Sequence, residues 1–157
     1  MATVSNPASK LNNQLNLPQL DQIGFVVKNL EAAISTYDSM FGPFSIMEPG
    51  EMEFDYRGTP EKSELRLAFG RSGDVEIELI EWVSGGTPHK EFLDAGNEGM
   101  QHIRFIVENL EQKVEEAKAV GYESIWYKRF APGLAAAYLE RKGDPLLIEF
   151  YERPEPS

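Results

Sequence analysis

A chain of 157 residues with 41% hydrophobic side chains is long enough to bury one core and too apolar for wholesale disorder. Acids outnumber bases 26 to 15, giving a net charge of −11, which disfavours a nucleic-acid partner because phosphate binding needs clustered cations. There is no cysteine, so disulfides, thiolate ligands and thiol nucleophiles are all excluded.

Residues 1–18, rich in Asn, Ser and Pro, contain no apolar stretch of the secretory kind and are expected to form a flexible tail. With no run approaching the ~20 apolar residues of a membrane span, the expectation is a cytoplasmic protein. Two basic groups, Arg57/Lys62/Arg66/Arg71 and Lys128/Arg129/Arg141/Lys142, are expected to form surface ion pairs.

The chain repeats itself. Residues 22–31, QIGFVVKNLE, align with residues 102–111, HIRFIVENLE, at an offset of 80 with six identities in ten positions. In the first copy, residues 20–28 alternate as a strand, with Ile23, Phe25 and Val27 on one face and Gln22, Gly24 and Val26 on the other. Asn29 sits at a helix N-cap, and Leu30, Ala33, Ile34, Tyr37, Met40 and Phe41 follow as one helical stripe until Gly42-Pro43. Three strands come next, near 44–55 (broken at Pro49-Gly50), 64–70 and 74–82, the last two joined by the turn Arg71-Ser72-Gly73-Asp74. Residues 83–99 read as a linker, whose His89 is expected at the surface.

The second copy has a strand at 100–108, the cap Asn109, the stripe Leu110, Val114, Ala117 and Val120, and a stop at Gly121. Strands near 123–129, 134–141 and 145–151 complete it. The reading is an α+β fold of two βαβββ modules, 19–82 and 100–152, in one domain spanning 19–152, with 153–157 as a C-terminal tail.

Alternation then assigns faces. The sets Ile23/Phe25/Val27, Ile103/Phe105/Val107, Val75/Ile77/Leu79 and Leu146/Ile148/Phe150 need the helices to bury them. Gln22, His102, Glu78 and Glu149 therefore turn to the opposite, concave face at matched places in the two copies. Three oxygen donors and one imidazole suit Zn²⁺, Co²⁺, Ni²⁺, Mn²⁺ or Fe²⁺. Glu64, Arg66 and Arg104 are expected on the same face as substrate-binding groups.

The stretches LDQIGFVVKNLEAAI, GDVEIELIEW, GMQHIRFIVENLE and PLLIEFYE resemble the vicinal oxygen chelate superfamily, which includes glyoxalase I, methylmalonyl-CoA epimerase, extradiol dioxygenases and bleomycin-resistance proteins. The resemblance implies a curved half-barrel sheet around a pocket holding one divalent metal ion, ligated by Gln22, Glu78, His102 and Glu149. The passage TPHKEFLDAGNEGMQHIRF is most similar to methylmalonyl-CoA epimerases. It implies an isomerase or epimerase that removes a proton next to a carbonyl, with Glu149 as base and Glu78 as its counterpart across the two halves. The implied partner is a small carbonyl substrate, an acyl-CoA thioester among the options, and the implied assembly is a homodimer. A glyoxalase I-like lyase and a non-catalytic small-molecule binder are the alternative readings. A dioxygenase fits less well, since it needs two histidines and one carboxylate and the quartet has a single His.

Overall fold

The computed structural model describes residues 15–155. Its elements are β1 (Gln22–Val27), α1 (Leu30–Phe41), β2 (Ser45–Met47), β3 (Glu51–Tyr56), β4 (Thr59–Ser72), β5 (Val75–Gly85), α2 (Pro88–Asp94), β6 (Gly99–Ile106), α3 (Leu110–Lys118), β7 (Tyr122–Ala131), β8 (Leu134–Arg141) and β9 (Asp144–Glu152). Strands β2 and β3 lie end to end along one edge of β4, separated at Pro49-Gly50, which accounts for the single irregular strand expected there.

Both principal helices start as their sequence dictates. Asn29 Oδ1 accepts the amide of Ala32 at 2.9 Å, and Asn109 Oδ1 accepts that of Gln112 at 3.1 Å. The duplication extends to a second anchor that strand periodicity does not reveal. The amide of Leu30 donates to Glu81 at 2.7 Å, and that of Leu110 donates to Glu152 at 2.9 Å. Each helix N-terminus is thereby tied to its own module's last strand, with a carboxylate placed where the helix dipole favours it.

The strands form one mixed sheet in the order β2-β4-β3-β7-β8-β9-β6-β1-β5, and a further pairing of β4 with β5 closes it into a barrel. The modules meet along two seams. Strands β1 and β6 pair antiparallel over much of their length, whereas β3 and β7 pair only at Asp55/Tyr127 and Tyr56/Trp126. The curved sheet of two βαβββ modules expected from the sequence is thus present, its edges joined by β4 and β5.

Closure also gives the barrel two apolar surfaces. Outside, Leu30 and Ala33 of α1 pack on Ala68, Ile77 and Leu79, and Leu110 and Ala117 of α3 pack on Ala137, Leu139 and Phe150. Inside, Val26, Leu67 and Ile80 form one cluster with Phe92 and Leu93 of α2, and Phe54, Trp126 and Tyr138 form another. Residues 1–14 of the expected N-terminal tail lie outside the described residues, but Leu15, also assigned to it, is buried against α3 and its carbonyl accepts Lys113 Nζ. Among the described residues, no helix is long and apolar enough to cross a membrane.

Candidate metal centre

The four donors singled out by alternation come together inside the barrel. His102 Nε2 lies 3.2 Å from Gln22 Oε1, 3.3 Å from Glu149 Oε1 and 3.5 Å from Glu78 Oε1. All four side chains are buried, the two carboxylates at 8% and 7% exposure and the other two at 0%. Register explains the convergence. Gly24 pairs with His102 across the β1/β6 seam, while Gly24 also pairs with Glu78 on β5 and Arg104 pairs with Glu149 on β9.

Neighbours aim these groups. Gln22 Nε2 donates to Glu76 at 2.7 Å, which leaves its carbonyl oxygen facing His102. The His102 ring stands edge-on to Tyr138, with centroids 5.0 Å apart. On another side it lies against Gly24, where an added Cβ would fall 2.0 Å from Cε1.

Whether such a set fits a metal ion is a matter of spacing and charge. Counting His, Cys, Asp and Glu alone, no group of three or more among the described residues forms a ready-made cage. The fit rests on the edges between donors. Metal–donor bonds of about 2.1 Å put neighbouring donors roughly 3.0 Å apart in an octahedron and roughly 3.4 Å apart in a tetrahedron. The separations from His102 Nε2, 3.2 to 3.5 Å, lie at that spacing. A neutral imidazole has one N–H at most, so three oxygens around one ring nitrogen cannot all be served by it. Three oxygens and one imidazole nitrogen are the donor types a divalent cation takes, and the three edges to Nε2 have the length it needs. Burial, and then the charge of Glu149, push the carboxyl of Glu78 up to about 8, as expected for two acids enclosed together.

The other site residues fare differently. Arg104 faces the interior, but it is committed to Asp21 at 2.6 Å and to Glu76 at 3.3 Å, and it covers the ring of Tyr151. Arg66, expected on the concave face, instead points to the helix side, where it pairs with Glu31 of α1, with Glu48 at 2.7 Å and with Glu81 at 3.3 Å. The reason is that Leu65, Leu67 and Phe69 face the apolar interior, so the polar residues alternating with them face outward. Glu64 was placed by the same alternation, which a bulge at Glu64/Leu65 interrupts; it is half-buried opposite Ser84.

His89, expected at the surface, is 2% exposed. The linker folds into α2, whose first turn carries His89 inward, where Nδ1 lies 2.8 Å from Thr87 Oγ1 and Nε2 3.3 Å from the Tyr138 hydroxyl. Burial, with a smaller contribution from His102, lowers its pKa to about 3, so this imidazole is neutral. Tyr138 itself is raised well above the ordinary tyrosine value by burial and by Glu149 and Glu78. Sequence patterning missed Tyr138 because it reads as one more apolar-compatible residue in the strand LAAAYLER.

The chain belongs to the Glyoxalase/Bleomycin resistance protein/Dioxygenase superfamily, whose sequence profile matches residues 21–138. It is 29% identical over 137 residues to an uncharacterized protein of Bacillus subtilis (strain 168), YqjC, covering 85% of this chain and 91% of that one. Among solved structures, a hypothetical protein of Bacillus halodurans C-125 matches with a TM-score of 0.62 at 26% identity, over 88% of this chain and 96% of that one. Methylmalonyl-CoA epimerase of Mycobacterium tuberculosis matches with a TM-score of 0.61 at 21% identity, over 88% and 90% respectively, a likeness of fold.

Proposed function

We propose that this chain is a divalent-metal-dependent isomerase or epimerase that exchanges a proton at carbon next to a carbonyl, with an acyl-CoA thioester as the substrate class. The observation that carries the reading is the meeting of three oxygens at His102 Nε2, two of them carboxylates from the last strands of the two modules. Gln22, Glu78, His102 and Glu149 would hold the ion. When bound, it supplies Lewis-acid stabilisation of the negative charge that develops on the carbonyl oxygen.

The protein's own groups supply the proton transfers. The Glu149 carboxylate takes the proton from the carbon, and Glu78, contributed by the other module and first protonated from solvent, returns that proton to the opposite face of the planar carbanion. The apolar walls made by Phe54, Trp126 and Tyr138 exclude water, which strengthens every charge interaction inside. Support for the substrate class comes from the fold shared with methylmalonyl-CoA epimerases, one of them, from Streptomyces coelicolor, described in complex with 2-nitronate-propionyl-CoA.

The test is deuterium incorporation. Purified chain loaded in turn with Zn²⁺, Co²⁺, Ni²⁺ and Mn²⁺ is incubated in D₂O with methylmalonyl-CoA, and the C2 proton is followed by NMR. Exchange is expected with at least one ion, and Glu149→Gln is expected to slow it by about 10²–10⁴-fold. Absence of exchange with every ion, or exchange undiminished in E149Q, overturns the proposal.

A further inference from the structure

We propose that Gln101 is a positioning residue that decides which ring nitrogen of His102 faces the other three donors. The inference rests on the proposed metal site for its consequence, while the hydrogen bond it concerns belongs to the chain itself.

Strict alternation along β6 would send Gln101 outward with Ile103 and Phe105 toward α3. The register does not allow this. His102 pairs with Gly24 and Met100 with Phe25, so Gln101 is the extra residue of a bulge on β6. Bulges re-aim side chains. Here Gln101, 2% exposed, brings Oε1 to 3.0 Å from His102 Nδ1.

An amide oxygen only accepts, so the Gln101 contact at 3.0 Å favours the neutral His102 with its hydrogen on Nδ1, in competition with the Gln22 oxygen 3.2 Å from Nε2. The lone pair is then left on Nε2, the nitrogen surrounded by Gln22, Glu78 and Glu149. Turning the ring over would forfeit the contact with Gln101, and the ring is packed against Gly24 and edge-on to Tyr138 at 72°.

The contact with His102 is made at the expense of the other end of Gln101. Its Nε2 is buried without a hydrogen-bond partner, a costly state for a donor. Turning the amide over would set its NH₂ against Nδ1 and drive the imidazole hydrogen onto Nε2, in among the oxygens. A residue that accepts at Nδ1 without leaving an orphaned NH₂ should serve at least as well.

Gln101→Leu and Gln101→Glu test this. The sequence has two histidines, so ¹⁵N-edited NMR resolves both rings. In the metal-free wild type, His102 is expected to show a slowly exchanging Nδ1–H that is lost in Q101L and retained in Q101E. In Zn²⁺ titrations, Q101L is expected to bind 10–100-fold more weakly than wild type, with Q101E restoring the affinity. An unprotonated Nδ1 in the metal-free wild type, or a Q101L protein that keeps both the signal and the affinity, overturns the inference. A wild type that binds no Zn²⁺ yet shows the Gln101-dependent signal upholds the positioning role and removes the metal-dependent function instead.

Discussion

Replacing Gly24 by alanine probes the site through a single methyl group. An added Cβ there falls 2.0 Å from His102 Cε1, 2.4 Å from Nε2 and 2.5 Å from Nδ1. Ordinary contact begins near 3.4 Å, so the ring must retreat by the difference from 2.0 Å, which is 1.4 Å. Metal sites tolerate displacements of about 0.2 Å, so Nε2 leaves bonding range. Gly24 lies outside the left-handed backbone region, so alanine brings no conformational penalty and the effect is steric. Overpacking should cost the fold about 1–3 kcal/mol. Zn²⁺ affinity should fall by at least ~100-fold, or about 2.8 kcal/mol at 1.4 per tenfold. Calorimetric Zn²⁺ titration beside metal-free thermal unfolding separates the two effects. A folded G24A protein that binds Zn²⁺ as the wild type does would refute the placement of the imidazole in the site.

In the metal-free protein, the raised pKa of Glu78, about 8 against an ordinary 4.5, means the folded state holds its proton more tightly than the unfolded one. Stability should therefore decline as pH rises from about 4.5 to about 8, and urea melts of Glu78→Gln should lose that part of the slope; an unchanged slope would refute the assignment. Saturating Zn²⁺ should reverse the trend in the wild type, because a cation favours the carboxylate. Arg57 joins the β3/β4 turn to Glu91 and Glu140, each at 2.9 Å, while its amide donates to Ile125 at 2.8 Å across the short β3/β7 seam. Arg57→Ala should cost less than about 1 kcal/mol overall. It should nonetheless speed hydrogen exchange at residue 57 relative to the β1/β6 amides; equal protection would show that the ion pairs do not hold the seam. Asn29→Ala and Asn109→Ala should each cost about 1 kcal/mol in denaturant melts, and nearly twice that together.

The two modules, their caps and the convergence of four donors were legible because each depends on local period. Residues at the same phase of matched strands in a duplicated unit must share a face, whatever the rest of the sheet does. What alternation could not reveal depends on long-range closure. It takes apolar residues to face a helix, but in a closed barrel Leu65 and Leu67 face an equally apolar interior, and Arg66 is turned outward as a result. Bulges defeat the same rule at Glu64 and Gln101, since one extra residue resets the phase without leaving a mark in the composition. His89 was hidden for another reason. Gly85, Gly86 and Pro88 read as linker, yet Pro88 is also the residue that opens α2 and carries the imidazole inside.

Duplication also explains why the site is unequal on its two sides. An offset of 80 relates Gln22 to His102 and Asp21 to Gln101. Their partners have diverged: Asp21 holds Arg104 at 2.6 Å, whereas Gln101 holds His102 at 3.0 Å. Likewise an offset of 71 relates Glu78 to Glu149 and Glu76 to Leu147, so Gln22 rests on a charged network while Leu147 lines the aromatic wall with Trp126 and Tyr138. Two carboxylates at equivalent positions thus meet different neighbours: Glu149 lies between Arg104 and Tyr138 on the adjoining strands, and Glu78 between Gly24 and Phe69. Environment separates the behaviour of paired acids. E78Q and E149Q are accordingly expected to differ in effect, E149Q slowing proton removal and E78Q chiefly altering the return of a proton, a contrast read from deuterium incorporation against racemisation in one NMR experiment. Equal loss of both signals in both variants would mean that the pair acts only as ligands.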